Sequence, residues 1–400
     1  MTLASPSPTT FERLRDASVT SATGFRAGAV AAGIKPSGKL DLGLLVSDAP
    51  CVAVGTFTQN AFPAAPVVLS RRRLQAAPHA QAIVFNAGNA NACTGDQGLA
   101  DAEEMARLAG ETLGVPADLV LAASTGVIGQ LLPMDRIRSG LQQVRLRGDG
   151  GHEAAEGIMT TDTRRKESGV ALPSGARIGA MTKGVGMIYP NMATMLAFIG
   201  TDAKLGADVA QACLKRVVDR TFNMLTVDGD TSTNDSCFLL ANGLAGPVDE
   251  AQFEAGLLDV CTDLARQMAR DGEGATKLLQ VDVTGAASES DARLAARAVV
   301  GSSLLKAAIH GQDPNWGRVF AAVGYSGARV DPGRAALWIG SVQVARDGMT
   351  TGVERSEAQA QMAGEEVRLR VDLGLGTGKA RAWGCDLTEA YVVENSAYTT

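Results

Sequence analysis

Aromatic side chains are scarce, at 4% of the 400 residues. A core must therefore be assembled from Ala, Val, Leu and Ile, because hydrophobic residues still make up 46% of the chain. No uncharged apolar run approaches the ~18–20 residues of a membrane span, so no membrane partner is expected. The six cysteines (51, 93, 213, 237, 261 and 385) are widely spaced and form no CxxC pair. That pattern fits reduced, partly buried thiols in a cytoplasmic protein. Histidine occurs three times, at His79, His152 and His310, and none lies in a Ser-His-Asp type motif. There is no GxSxG elbow, no HExxH and no Cys/His ligand spacing, so neither a hydrolase triad nor a metal site is expected. Basic residues are scattered and net charge is −6, from 43 acidic and 37 basic side chains. The short cluster Arg71–Arg73 reads as a solvated helix end, and nucleic acid is not an expected partner. The opening MTLASPSPTTFERLRD has no apolar core for a secretory signal, and residues 1–20 read as a flexible lead.

Glycine, by contrast, is plentiful at 46 residues, which implies many tight turns and close backbone approaches. Strand-like runs are expected at Phe25–Ala32, Leu42–Ser47, Val52–Thr58, Pro63–Ser70, Gln81–Phe85, Leu119–Ala123, Arg177–Met181, Leu278–Val283, Ala335–Val344 and Glu366–Gly374. Helical spacing marks Asp101–Gly114, Pro133–Arg147, Asp208–Leu225, Glu250–Arg270 and Asp291–Ile309. Residues 148–153 read as a loop, and residues 380–400 as a last strand followed by a polar tail. Strand and helix alternate without a repeat or a compositional boundary, so the class is mixed α/β. Asn86, Asn89 and Asn91 lie in a polar, glycine-bearing loop that either forms turns through its Asn side chains or lines a ligand site.

One stretch organises the rest: TKGVGMIYPNMATMLAFIGTDA, Thr182–Ala203. A glycine-flanked lysine, Lys183, leads through Pro190–Asn191 into a short apolar run after Thr194 that suits a buried strand. The hydroxyl of Thr194 thus stands at the entrance to a rigid element. Such a Thr is commonly just a backbone-bonding residue at a strand start, and the same position also suits a nucleophile.

Several segments, in order, carry a family resemblance: NAGNANACTG at 86–95, STGVIG at 124–129, TTDT at 160–163, KGVGMIYPNMATMLAFIGTDA at 183–203, TVDGDTSTND at 226–235, GQDPNWGR at 311–318 and the tail ENSAYTT. Together they resemble the ornithine acetyltransferase (glutamate N-acetyltransferase) family of arginine biosynthesis. The resemblance implies a layered α/β fold with catalytic logic similar to that of N-terminal-nucleophile hydrolases. It implies that the chain cuts its own Ala193–Thr194 bond, giving an alpha chain 1–193 and a beta chain 194–400 that form one catalytic unit, with two of each in a heterotetramer.

The chemistry fits that implication. A Thr hydroxyl is a weak nucleophile and needs a base. The α-amine released by cleavage has a pKa of about 7.7–8.0 and supplies one without metal or prosthetic group. By resemblance, Thr125 and Gly126 provide the oxyanion hole; by itself the Ser-Thr-Gly segment reads as an exposed turn opening from a strand. By the same resemblance Thr160, Lys183, Thr194, Glu273, Asn395 and Thr400 contact substrate, with Thr161 adjacent to the first of them. Lys183 suits a carboxylate, and Glu273, at a helix end, would otherwise pair with a surface Lys. GQDPNWGR has no evident acid–base role and reads as a structural turn. The implied reaction moves an acetyl group from N2-acetyl-L-ornithine to L-glutamate through acetyl-Thr194, with no cofactor and with acetyl-CoA as a further donor in some members. An aminopeptidase or amidohydrolase of the same self-cleaving type is the alternative enzyme. An uncleaved protein that only binds amino acids is the alternative outside catalysis.

Overall fold

The computed structural model describes residues 11–189 and 195–397. Ala193, Thr194 and Thr400 therefore lie outside the described residues, as does the first half of the N-terminal lead. The described strands form two mixed sheets. The larger runs in the order Glu12–Arg13, Lys166–Ala171, Arg177–Lys183, Leu196–Lys204, Ser236–Pro247, Leu42–Phe57, His79–Asn89, Val120–Val127, with Phe25–Val30 also paired to Leu42–Phe57. Its two central neighbours, Leu196–Lys204 and Ser236–Pro247, are parallel and in register from Leu196↔Ser236. The smaller sheet runs Met349–Thr350, Val342–Arg346, Ala336–Ile339, Glu366–Asp372, Leu278–Ala286, Gly378–Cys385.

The strand Leu196–Lys204 shows why its first half, Leu196–Ile199, is apolar on every residue. Leu196 and Phe198 point to one core, where Phe198 stacks on Phe238 at 5.8 Å and meets Phe85 at 5.6 Å. Ala197 and Ile199 point to the other core, among Val217, Leu257 and Leu264. A strand covered on both faces reads as a continuous hydrophobic run rather than an alternating one. Helix Glu250–Arg270 packs against Lys166–Ala171 and Arg177–Lys183 of the larger sheet and Gly378–Cys385 of the smaller. It is capped by Asp249, whose side chain accepts the Gln252 N–H. The helix therefore joins the two sheets into a single core and delivers its C-terminal turn, Asp271–Gly274, to the site.

Several expectations change in the fold. Pro63–Ser70 is not a strand: helix Ala65–Ala76 occupies it, with Pro66 in its first turn, where a missing N–H costs nothing. Residues 148–153 run into a short helix, Gly151–Gly157. Pro133–Arg147 is helical only over Met134–Leu141. The expected helix Asp291–Ile309 is two, Glu289–Gly301 and Ser303–His310, because the Ser302 side chain caps the second. Ala335–Val344 is a hairpin, with Gly340 at φ +56°. Residues 11–20 are not a loose lead, since Glu12 and Arg13 pair with Ala171 and Val170 and Val19 is buried. The last strand is present as Gly378–Cys385, and the polar tail after it forms a helix over Glu389–Ala397.

Candidate active site

Thr125 and Gly126 lie within the strand Val120–Val127, not in an exposed turn; Thr125 is 3% exposed. They stand opposite Ala87 and Gly88 on the parallel strand His79–Asn89. Gly126 has φ +130°, and a Cβ there would meet the Gly88 carbonyl carbon at 2.3 Å. Only glycine fits where two backbones come this close. The neighbourhood is fastened by amides: Asn234 Nδ2 donates to the carbonyls of Ser124 at 2.8 Å and Ala90 at 2.6 Å. Ser124 Oγ donates to Asn86 Oδ1 at 2.6 Å. Asn86 and Asn89 lie in the strand His79–Asn89 rather than in a loop, and only Asn91 follows it; all three give side-chain N–H groups to backbone carbonyls.

Lys183 ends the strand Arg177–Lys183 and is 3% exposed. Among the described residues its Nζ hydrogen-bonds only the Thr125 hydroxyl, at 3.4 Å. Burial lowers its pKa; Asp162 and Glu273 oppose that, and Lys166 reinforces it. Glu273 follows the long helix. Its carboxylate accepts Thr161 Oγ1 at 2.7 Å and Asn395 Nδ2 at 2.9 Å, and it makes no ion pair among the described residues. It is therefore not the surface ion-pair partner that a Glu at a helix end usually becomes. Gly186 makes room for it, since a Cβ there would meet Glu273 Oε2 at 2.3 Å.

One cavity collects these groups: Thr125, Gly126, Thr160, Lys183, Glu273 and Asn395 all line it. They come from five separate stretches of chain. Thr161 lines it too, and of the two threonines it is Thr161 whose hydroxyl binds Glu273. Thr160 gives its N–H to Asp162. The tail helix closes one side through Tyr391 and Asn395, and Thr388 fastens it by donating to the Gly274 carbonyl at 2.7 Å.

Beneath the cavity lies an ionic cluster that the sequence did not flag. Lys166 Nζ sits 2.7 Å from Asp162 Oδ1 and 2.6 Å from Asp271 Oδ2, all three buried. Asp162 also accepts the Gly184 N–H at 2.9 Å. Burial works to raise the Asp162 carboxyl, but the ammonium groups of Lys166 and Lys183 hold it at about 2. The cluster ties residues 160–166, the Lys183–Gly184 corner and the helix end together. Its only sequence signal is the polar run TTDTRRKE at 160–167, which suits either a surface turn or a substrate rim. Asp228 and Ser232 of the second glycine loop also line the cavity and were likewise missed as individual residues. GQDPNWGR lies outside it, and the six cysteines are free, with only Cys93 exposed. No group of His, Cys, Asp or Glu among the described residues is arranged to hold a metal ion. No helix among them is long and apolar enough to cross a membrane.

A mixed α/β fold with a buried lysine, a carboxylate and a Thr-Gly strand end facing one cavity describes an enzyme site for a small charged molecule. The ArgJ family model matches residues 26–400, and the chain belongs to that family. An arginine biosynthesis bifunctional protein ArgJ from Symbiobacterium thermophilum is 52% identical, over 96% of this chain and 98% of its own. A glutamate N-acetyltransferase from Methanosarcina mazei is 49% identical, over 93% of this chain and 97% of its own. The crystal structure of arginine biosynthesis bifunctional protein ArgJ from Bacillus halodurans is 44% identical and covers 50% of this chain and 98% of its own, with TM-score 0.49.

Proposed function

We propose that this chain transfers the acetyl group of N2-acetyl-L-ornithine to L-glutamate, as an enzyme of arginine biosynthesis. The observation that carries the reading is the convergence of Thr125, Gly126, Thr161, Lys183, Glu273 and Asn395 on one cavity. Both substrates carry carboxylates, and each a free ammonium: the side-chain one of N2-acetylornithine and the α one of glutamate. Lys183 is a buried cation whose nearest hydrogen bond is long, so a substrate carboxylate restores the charge partner that burial denies it. Glu273, held by two neutral donors, takes a substrate ammonium.

The chain first cuts itself at Ala193–Thr194, leaving residues 1–193 and 194–400 associated. The new α-amine of Thr194 accepts the hydroxyl proton as Thr194 attacks the acetyl carbonyl, and returns it to the departing ornithine nitrogen. Thr125 and Gly126 stabilise the oxyanion, a contribution of about 3–4 kcal/mol for each such donor. Glutamate then attacks the acetyl ester and leaves as N-acetylglutamate. The two chains assemble as a heterotetramer in the cytoplasm, substrate contacts extend to Thr160, Thr194 and Thr400, and acetyl-CoA is a second donor. Intact mass of the purified protein, followed by a donor and acceptor screen, tests this. Two fragments and glutamate-dependent release of ornithine are expected. Release that ignores glutamate and consumes only water would assign the amidohydrolase reading instead, and a full-length chain without turnover the binding-protein reading.

A further inference from the structure

The tail helix Glu389–Ala397 buries none of its own residues. Among the described residues it is fastened by polar contacts: Thr388 to the Gly274 carbonyl, Asn395 to Glu273, and the Tyr391 hydroxyl to Asp228. Its base stands on a buried carboxylate, Asp386, three residues before Glu389. Asp386 Oδ1 accepts the N–H groups of Thr276 and Lys277, each at 2.8 Å, and Oδ2 accepts Thr276 Oγ1 at 2.6 Å. Thr276 in turn follows Glu273 by three residues. One carboxylate therefore anchors both halves of the Glu273–Asn395 contact. His310, the residue directly before GQDPNWGR, faces that anchor. Its Nδ1 lies 3.1 Å from Asp386 Oδ2, and its Nε2 lies 3.6 Å from Oε2 of Glu389, the first residue of the tail helix. A neutral imidazole has one N–H and serves one of these carboxylates; an imidazolium serves both. His310 is also the last residue of helix Ser303–His310, where a positive charge is favoured.

We propose that His310 is a positioning residue for the acetyl donor: as the imidazolium it bridges Asp386 and Glu389, and so holds the tail helix with Asn395 against Glu273. The inference rests on the acetylornithine reading above, in which Glu273 and Asn395 meet the substrate. The other charged groups around His310 are already engaged. Lys306, one turn earlier on the same helix, donates to the Val227 carbonyl beside the buried Cys385 thiol. Lys277 Nζ is turned away to the carbonyls of Met362 and Gly364, at 2.8 and 2.9 Å. Asp313, just after the helix, pairs with Arg355 at 2.9 Å. The charge of His310 is thus answered by Asp386 and Glu389. Histidine changes charge between about pH 5 and 8, so the bridge is complete on the acid side of that range and loses its Glu389 arm on the alkaline side. Glu389 is 90% exposed, and such a pair is weak by itself. It counts here because the helix has no buried residue to hold it.

The test is steady-state kinetics of the full chain with acetylornithine, from roughly pH 5 to 8, for the wild type, His310→Asn and Glu389→Gln. His310→Asn keeps an N–H for Asp386 at the place of Nδ1 and removes the titrating ring. Glu389→Gln removes the charge at the foot of the tail helix. Relative to the variants, KM of the wild type is expected to rise about threefold across that range, the value of one exposed ion pair. Both variants should lack that rise, with KM at acid pH already at the wild-type alkaline value and kcat following the wild-type profile. Hydrogen exchange of the Glu389–Ala397 amides, corrected for intrinsic rates, reads the same bridge without turnover. Protection should fall about threefold with rising pH in the wild type and stay low throughout in both variants. Folding is checked by circular dichroism and melting temperature. Folded variants with the wild-type KM profile and wild-type protection would overturn the proposal and leave His310 a structural partner of Asp386. Should His310→Asn fail to fold, the surface variant Glu389→Gln decides. A wild type that transfers no acetyl group would instead remove the acetylornithine reading, while the exchange comparison still judges the bridge.

Discussion

Strands Leu196–Lys204 and Glu366–Asp372 belong to different sheets and bury themselves differently. The first is buried at every position but the last; the second alternates, with Val367, Leu369 and Val371 inside and Arg368 exposed. Both patterns follow from coverage. The larger sheet is packed on both faces, while the smaller presents one apolar face. The difference extends to chemistry. Thr125, Gly126 and Lys183 stand on strands of the larger sheet, and no cavity residue stands on a strand of the smaller. The smaller sheet buttresses the helix Glu250–Arg270, which Glu273 follows, and leads into the tail helix bearing Asn395. A doubly covered sheet holds Thr125, Gly126 and Lys183 at the cavity, and the second sheet supports the parts that close over it.

That division breaks first at Thr194. Thr194→Ala should remain one chain of 41.2 kDa and show no transfer, read by intact mass and ornithine release. A cleaved or active variant would show that Thr194 is not the nucleophile. Next is Gly126→Ala. The added methyl meets Gly88 backbone rather than open space, so the strand edge must shift. Turnover should fall about 10²–10³-fold while melting of the smaller sheet, followed at Trp383, changes little. Unchanged kcat in a folded variant would leave Thr125–Gly126 a structural crossing only.

Stability sharpens the contrast. Lys166→Met removes the buried ammonium that both Asp162 and Asp271 contact, leaving only Lys183 near the first and the half-exposed Arg164 at 3.8 Å from the second, and should cost about 3–5 kcal/mol. Leu369→Ala opens a cavity in the smaller sheet and should cost about 2–5 kcal/mol. In urea titrations both lose stability, but only Lys166→Met should also raise KM, because it loosens the Lys183–Gly184 corner. Equal KM effects would erase the distinction between the sheets. Acid should act through the same cluster. The Asp162 carboxyl is held at about 2, below its ordinary 3.8, so its contribution is complete above 3.8 and is lost as pH falls through 2. Linkage puts this on the order of 2 kcal/mol, and Asp162→Asn should flatten the corresponding limb of a stability–pH curve. The smallest effect belongs to the tail. Asn395→Ala should raise KM for acetylornithine about tenfold, the value of one charge-assisted bond, and leave cleavage and kcat as they were. Identical kinetics would make the tail helix a bystander.

Much of this molecule was legible from its residues. The apolar run after Thr194, the helix Glu250–Arg270 and the alternation at Val367–Leu373 follow from local periodicity, which depends only on which face is covered. The segment resemblances were enough to nominate Thr125, Gly126, Thr160, Lys183, Glu273 and Asn395, which line one cavity. What local pattern misread was decided by long-range contacts. Ser-Thr-Gly looks like a turn until Gly88 is found against it, and TTDTRRKE looks like surface until Asp271, 105 residues from Lys166, closes the buried cluster. The tail reads only as polar until Glu273 and Gly274 are found holding its helix. Residue types and their spacing determine what a segment can pair with; burial, and hence which charge is shifted or left unpartnered, exists only once distant segments exclude water from one another.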